Sequence, residues 1–330
     1  MVQAQRADFW KFFVGQGLSV LGGSFTAFAL PLLVYQMTGS AANLSISFAS
    51  AMLPYLFFGL IGGAIADRTN RKRLMILTDL GRGAVIGSIP VLYYLDALPI
   101  WWIYVTGFIS TVMRILFDAA EFAAIPSLVS GDNLVQANGR IHAVYSAAFI
   151  AGPPLAGLTA SVMPIVNVLW LDALSFILSA LFLAWIRSSF NQGEQRERRG
   201  IRSEIAEGLG YVWRHPVLRN ISIMMALVNF VTTVQQVQLV LFAKERLDAS
   251  DFQYGLLLAG SNVGVIILSL AAGPLRKRFP FGPVALGALA VWQLLVIAFA
   301  LAPSYWVALP LWALASGCGV LFNINTASLR

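Results

Sequence analysis

Gly62-Gly63-Ala64-Ile65-Ala66-Asp67-Arg68-Thr69-Asn70-Arg71-Lys72-Arg73 is the stretch whose reading decides the fold. It ends one apolar run, 44–66, and opens the next, 74–95. Small residues at the end of the first run, Gly63 among them, let a neighbouring helix approach closely. Asp67 then sets a carboxylate where apolar chain meets water, placed to meet a helix N-terminus or a nearby guanidinium. Arg68, Arg71, Lys72 and Arg73 crowd four cations into the turn. A dense basic turn between two long oily runs belongs to a chain that crosses a membrane repeatedly.

The composition around that stretch agrees. Of 330 residues 58% are hydrophobic and only 11% charged, against roughly 25% charged in a soluble domain. Such a chain cannot cover a water-facing surface. A span needs about 20 apolar residues, and ten runs qualify: 10–36, 44–66, 74–95, 100–122, 140–161, 165–187, 218–243, 252–275, 283–302 and 305–327. They read as helices, because lipid offers backbone groups no partner and the ten-residue alternation of a barrel is missing. Met1 to Asp8 is short and mixed, and the run from Phe9 is too long for a cleaved leader. One cysteine, Cys318, excludes an intrachain disulfide, and His142 and His215 show no metal-ligand spacing. No nucleophile, base and orienting group stand together, so an enzyme is not expected.

The net charge of +7 falls in short clusters between spans, which speaks for membrane orientation and against nucleic acid. Arg6, Lys11, the 68–73 cations, Arg140, the 187–219 arginines, Arg276, Lys277, Arg278 and Arg330 share one side. The other side holds only Lys244 and Arg246, diluted by Glu245, Asp248 and Asp251. Both termini are therefore expected in the cytoplasm. The one long polar connection sets three regions: a six-helix bundle at 1–187, a linker at 188–217 and a four-helix bundle at 218–330. Ile201, Ile205, Leu209 and Val212 form one stripe in the linker and predict a short amphipathic surface helix. A weak repeat matches Gly63-Ala64-Ile65 with Gly273-Pro274-Leu275, each before basic residues, and repeated halves mark secondary transporters.

The ordered pattern Gly63-x-x-x-Asp67-Arg68-x-x-Arg71-Lys72-Arg73 resembles the signature loop of the major facilitator superfamily, between its helices two and three. Asn70 stands where the family prefers glycine; asparagine is the next most tolerant residue of a left-handed turn. Asp79-Leu80-Gly81-Arg82, Asp172-Ala173-Leu174-Ser175-Phe176 and 207–216 are similar to the bacterial branch of macrolide and enterobactin exporters. Gly152-Pro153-Pro154-Leu155-Ala156-Gly157 resembles that superfamily's antiporter motif, with Ala156 in place of a glycine. The prolines and small residues also read simply as a bent, closely packed helix. The resemblance implies twelve spans with a gating role for the signature loop. This chain carries ten of them, an all-α fold with a complete six-helix half and an incomplete second half. In the family the loop's acid faces the start of helix eleven, so the expectation is a truncated copy, a gene fragment or an incomplete sequence.

Ionisable groups inside spans are costly and face a partner or a wet cavity. Asp79 and Arg82, at i and i+3, either pair as a lock or switch during transport. Arg114, Asp118 and Glu121 share one face of span four and read either as a snorkelling triad or as proton-coupling groups. Asp172 has no cation within two turns in sequence, and is either an interhelical anchor or a protonation site. Gln16, Asn229, Thr233, Gln236 and Asn323 are candidate cavity-lining residues, with helix-to-helix glue as the other reading. The resemblance implies a secondary transporter in the bacterial cytoplasmic membrane, exporting a small amphiphilic molecule such as a drug or siderophore. A proton gradient supplies the energy, no cofactor is needed, and the working form is a monomer in lipid. An uptake permease and a copy that no longer transports are the alternatives.

Overall fold

A computed structural model describes residues 2–129, 133–191, 210–278 and 281–327. Among them the chain forms ten α-helices, one on each apolar run, and no strand. They are α1 (Val2–Thr38), α2 (Ala41–Arg68), α3 (Arg71–Tyr94), α4 (Ile100–Leu128), α5 (Leu134–Val162), α6 (Val168–Trp185), α7 (Pro216–Leu241), α8 (Asp251–Arg278), α9 (Phe281–Ala300) and α10 (Tyr305–Ala327). Seven helices among the described residues are long and apolar enough to cross a membrane; α9 and α10 contribute shorter apolar stretches. The sequence-expected amphipathic helix falls largely outside the described residues, although 210–214 are helical.

Helix ends follow local chemistry. Gly39 adopts φ +56° after α1, a left-handed conformation that suits glycine, and its N–H returns to the Tyr35 carbonyl at 2.8 Å. Ser40 then caps α2, its hydroxyl accepting from the Asn43 N–H. Two residues thus turn the chain from one span into the next.

The helices form two compact units, Met1–Ala143 with Val166–Leu239, and Val144–Ile165 with Val240–Arg330. This grouping by proximity divides α5, and so differs from a division by order along the chain. In the first unit α6 packs on α1 and α3, α4 packs on α2 and α3, and α1 also meets α2 and α4. In the second unit α10 packs on α8 and α9.

Lipid reverses the usual sidedness of these helices. On α6, Asp172, Ser175, Phe176, Ser179 and Leu183 are buried, whereas Leu171, Leu174, Ile177, Leu178 and Leu181 are exposed. The inward stripe at i, i+3, i+4, i+7 carries the polar residues and the outward face is oily. An aqueous protein would do the opposite.

Candidate functional site

The first unit gathers its ionisable side chains into two groups. The deeper one lies where α1, α3 and α6 meet. Asp79 is 0% exposed and Asp172 1% exposed. The Arg82 guanidinium reaches Asp79 at 3.7 Å and lies 3.9 Å above the Phe176 ring. Arg82 also acts electrostatically on Asp172, from the neighbouring helix. The sequence-expected pairing of Asp79 with Arg82 is therefore present, and Asp172 lies buried on the neighbouring helix.

Asp172 accepts from Ser175 Oγ at 3.3 Å, and Gly22 on α1 presses against both residues. A Cβ on Gly22 would overlap Ser175 and come within 2.7 Å of the Asp172 carboxylate. The glycine is what allows α1 this close. One turn further along, Gln16 Nε2 donates to Ser179 Oγ at 3.5 Å, so this candidate lining residue makes a buried α1–α6 contact. Both Asp79 oxygens and the Arg82 Nε fall short of a conventional hydrogen bond among the described residues.

The second group is the signature loop. Asp67, largely exposed, pairs with Arg71 at 3.2 Å, the guanidinium alternative of the two expected partners. Arg71 spends its other nitrogen on the carbonyls of Ala123 and Phe190, at 3.1 and 3.2 Å. Lys72 donates to the Ala184 and Ile186 carbonyls at 3.0 and 2.6 Å, closing the C-terminal end of α6. Arg68 and Arg73 are exposed beside them.

One reading of this loop is corrected. Asn70 is not left-handed: at φ −72°, ψ 106° it is the N-cap of α3, its side chain accepting from the Arg73 N–H at 3.0 Å. The close approach expected of the small residues ending α2 is made by Gly62, whose Cβ would come within 2.8 Å of Ile115 on α4. Nothing lies within 4 Å of a Cβ at Gly63.

Three participants were missed in the sequence. Asp8, only 3% exposed, accepts from the N–H groups of Arg187 and Ser188 and from the Ser188 hydroxyl, at 2.8 to 3.0 Å. Lys11 bridges Asp8 and the Trp185 carbonyl. Asn191 accepts from the Arg71 N–H and donates to the Thr69 carbonyl, tying the chain after α6 to the loop. The i, i+3 acid–lysine pair at the edge of span one was the available signal.

Elsewhere Arg114 and Asp118 pair at 3.5 Å, both about half exposed, and Glu121 is buried. In the second unit Gly152, Pro153 and Gly157 of α5 are buried. A Cβ on Gly157 would stand 2.7 Å from the Asp251 carbonyl oxygen, and one on Gly255 would stand 2.4 Å from that of Pro153. Here α5 and α8 touch backbone to backbone. Gln236 is exposed, while the side chains of Asn229, Thr233 and Asn323 lie outside the described residues.

Helices with oily outer faces and buried polar stripes, seven of them long and apolar enough to cross a membrane among the described residues, define a polytopic membrane protein. The family model of the Major Facilitator Superfamily matches residues 12–329, and the chain belongs to that superfamily. Its members are transporters and not enzymes. The multidrug efflux pump Tap of Mycolicibacterium fortuitum is 29% identical over 270 residues, covering 77% of this chain and 61% of the relative. Macrolide efflux protein A of Streptococcus pyogenes is 27% identical over 182 residues, covering 55% and 45%. The chain spans roughly half the length of these relatives. Among solved structures, a bacterial homologue of the human lysosomal transporter Spinster, inward-facing and unoccupied, matches 99% of this chain and 75% of its own. Its TM-score is 0.74 at 14% identity. The nucleoside transporter NupG matches with a TM-score of 0.77, also at 14% identity, over 96% of this chain and 80% of its own. Those likenesses speak to fold alone.

Proposed function

We propose that the protein exports a small amphiphilic molecule, such as a drug or siderophore, by proton-coupled alternating access. It works as a monomer in the bacterial cytoplasmic membrane, with the N-terminus and the 67–73 turn facing the cytoplasm. The efflux relatives support the direction, and so does the glycine-dependent contact of α5 with α8 in the antiporter-like motif.

The coupling rests on the deep cluster. Asp79 and Asp172 are both buried carboxylates, and the buried guanidinium of Arg82 pairs with Asp79 at 3.7 Å. Burying an uncompensated charge is expensive, so one proton on an acid balances the site. Losing that proton forces a rearrangement, which is what a coupling site must do. Asp172 is the carrier in this reading, and Asp79 with Arg82 the switch it works against. Asp118 and Glu121 are secondary candidates on α4. The Asp67–Arg71 loop gates, because its cations hold the ends of α4 and α6.

The test is accumulation of a fluorescent amphiphilic drug in everted vesicles carrying the full-length protein. Proton-driven accumulation should collapse with a protonophore. Asp172→Asn should lose it about 100-fold while still exchanging substrate down its own gradient. Accumulation indifferent to the protonophore would remove the coupling. Accumulation in right-side-out vesicles instead would make the protein an uptake permease.

A further inference from the structure

At the end of α3 away from the basic turn, the first unit carries an open groove of about 720 Å³. Gly83, Gly87 and Val91 of α3 line it with Trp101 and Trp102 at the start of α4 and Trp170 of α6. The floor exists because α3 and α6 touch closely: a Cβ on Gly83 would stand 3.1 Å from the Ala173 carbonyl oxygen. Trp101, Trp102 and Trp170 complete the lining with Ala97 and Pro99.

The chemistry of the lining selects the occupant. Its hydroxyl, Ser88 Oγ, donates to the Val85 carbonyl at 2.6 Å and accepts from the Trp102 indole at 2.9 Å. Both polar groups are thereby engaged with each other, and the inner surface is carbon. Water needs several polar partners to settle in a cavity, and these walls offer none to spare. A void of this size left empty forfeits dispersion contacts along every wall. Trp101 and Trp170, by contrast, are exposed at the rim. Tryptophans at a membrane interface meet ester and phosphate oxygens through their indole N–H groups.

We infer that this groove is a lipid site, holding one acyl chain of a phospholipid from the leaflet opposite the 67–73 turn. The chain lies along Gly83, Gly87 and Val91, with the glycerol region against Trp101 and Trp170. This rests on the membrane-spanning fold and not on the export reading. The gain over a flat helix face is contact on three sides. Ten added carbon–carbon contacts suffice for roughly a tenfold preference over bulk lipid.

The experiment is photolabelling of the full-length protein in phosphatidylethanolamine–phosphatidylglycerol vesicles doped with a phospholipid carrying a mid-chain diazirine. Adducts are mapped by mass spectrometry. Labelling of residues 83–102 should exceed that around Leu294 of α9 and Leu301 just after it, which are more exposed, by about tenfold. Ala84→Phe, at an exposed lining position, should fill the groove and bring labelling down to the α9 level. Val91→Trp, also exposed, is the second plug should the first fail to fold. Equal labelling in the wild-type protein would overturn the inference, as would an excess that survives a folded plug. Loss of labelling when a water-soluble amphiphilic drug is present during irradiation would reassign the groove to transported substrate and overturn it too.

Discussion

Lys72 and Arg73 are adjacent cations with different work. Lys72 closes two carbonyls at the end of α6, whereas Arg73 is exposed and contributes its backbone N–H to the Asn70 cap. Hydrogen bonds from a charged donor are worth about 1.5–3 kcal/mol, and partial exposure lowers the figure here. Lys72→Met should therefore lower unfolding stability by about 1–2 kcal/mol, while Arg73→Met stays within about 0.5 kcal/mol. Equal losses in denaturant titration of the purified protein would show that only the net basic charge matters. Asp8 is the stronger case. Its Oδ2 receives three donors and its Oδ1 the Lys11 ammonium, so Asp8→Ala leaves buried N–H groups unpaired and should cost about 3 kcal/mol. Asp8→Asn should recover part of that, because it keeps one acceptor oxygen. The sequence hid this residue for a plain reason: its partners lie roughly 180 positions away, at the end of a span that had to be placed first.

Between elements, glycine decides which helices touch, and sequence alone cannot say which glycine does so. Gly62 and Gly63 are neighbours, yet only Gly62 meets α4. Gly22 was passed over altogether, although α1 could not lie against Asp172 and Ser175 without it. Gly22→Ala must push α1 and α6 apart and should destabilise the protein by about 1–3 kcal/mol, whereas Gly63→Ala has open space and should be neutral. A thermal-unfolding comparison checks both, and an undisturbed Gly22→Ala would mean the α1–α6 contact is looser than drawn. Span positions were legible from apolar length, because lipid enforces length and composition directly. The meeting of Asp79, Arg82 and Asp172 was not, since it depends on how α3 and α6 cross. The Asn70 cap was within reach of capping chemistry, but the family's glycine drew the reading towards a left-handed turn.

For the molecule as a whole, the charge asymmetry makes the sharpest prediction. The basic 67–73 turn and the 95–99 turn lie at opposite ends of α3, so they must face opposite sides of the membrane. Moving cationic loops across during insertion is disfavoured, and the Lys/Arg excess sits entirely with the 67–73 end. In a Cys318→Ser background, Asn70→Cys should react with a membrane-impermeant maleimide only in everted vesicles, and Ala97→Cys only in intact cells. Both positions are exposed, so failure to label cannot be laid to burial. Labelling of both from one side would mean that α3 does not span the membrane. Reversed labelling would leave the span in place and invert the orientation. It would move the Asp67–Arg71 and Lys72 contacts to the outer face and turn the export reading round with them. Because Asp79 and Arg82 lie on α3 between the two turns, reversed labelling would also change which compartment supplies the proton in the proposed coupling.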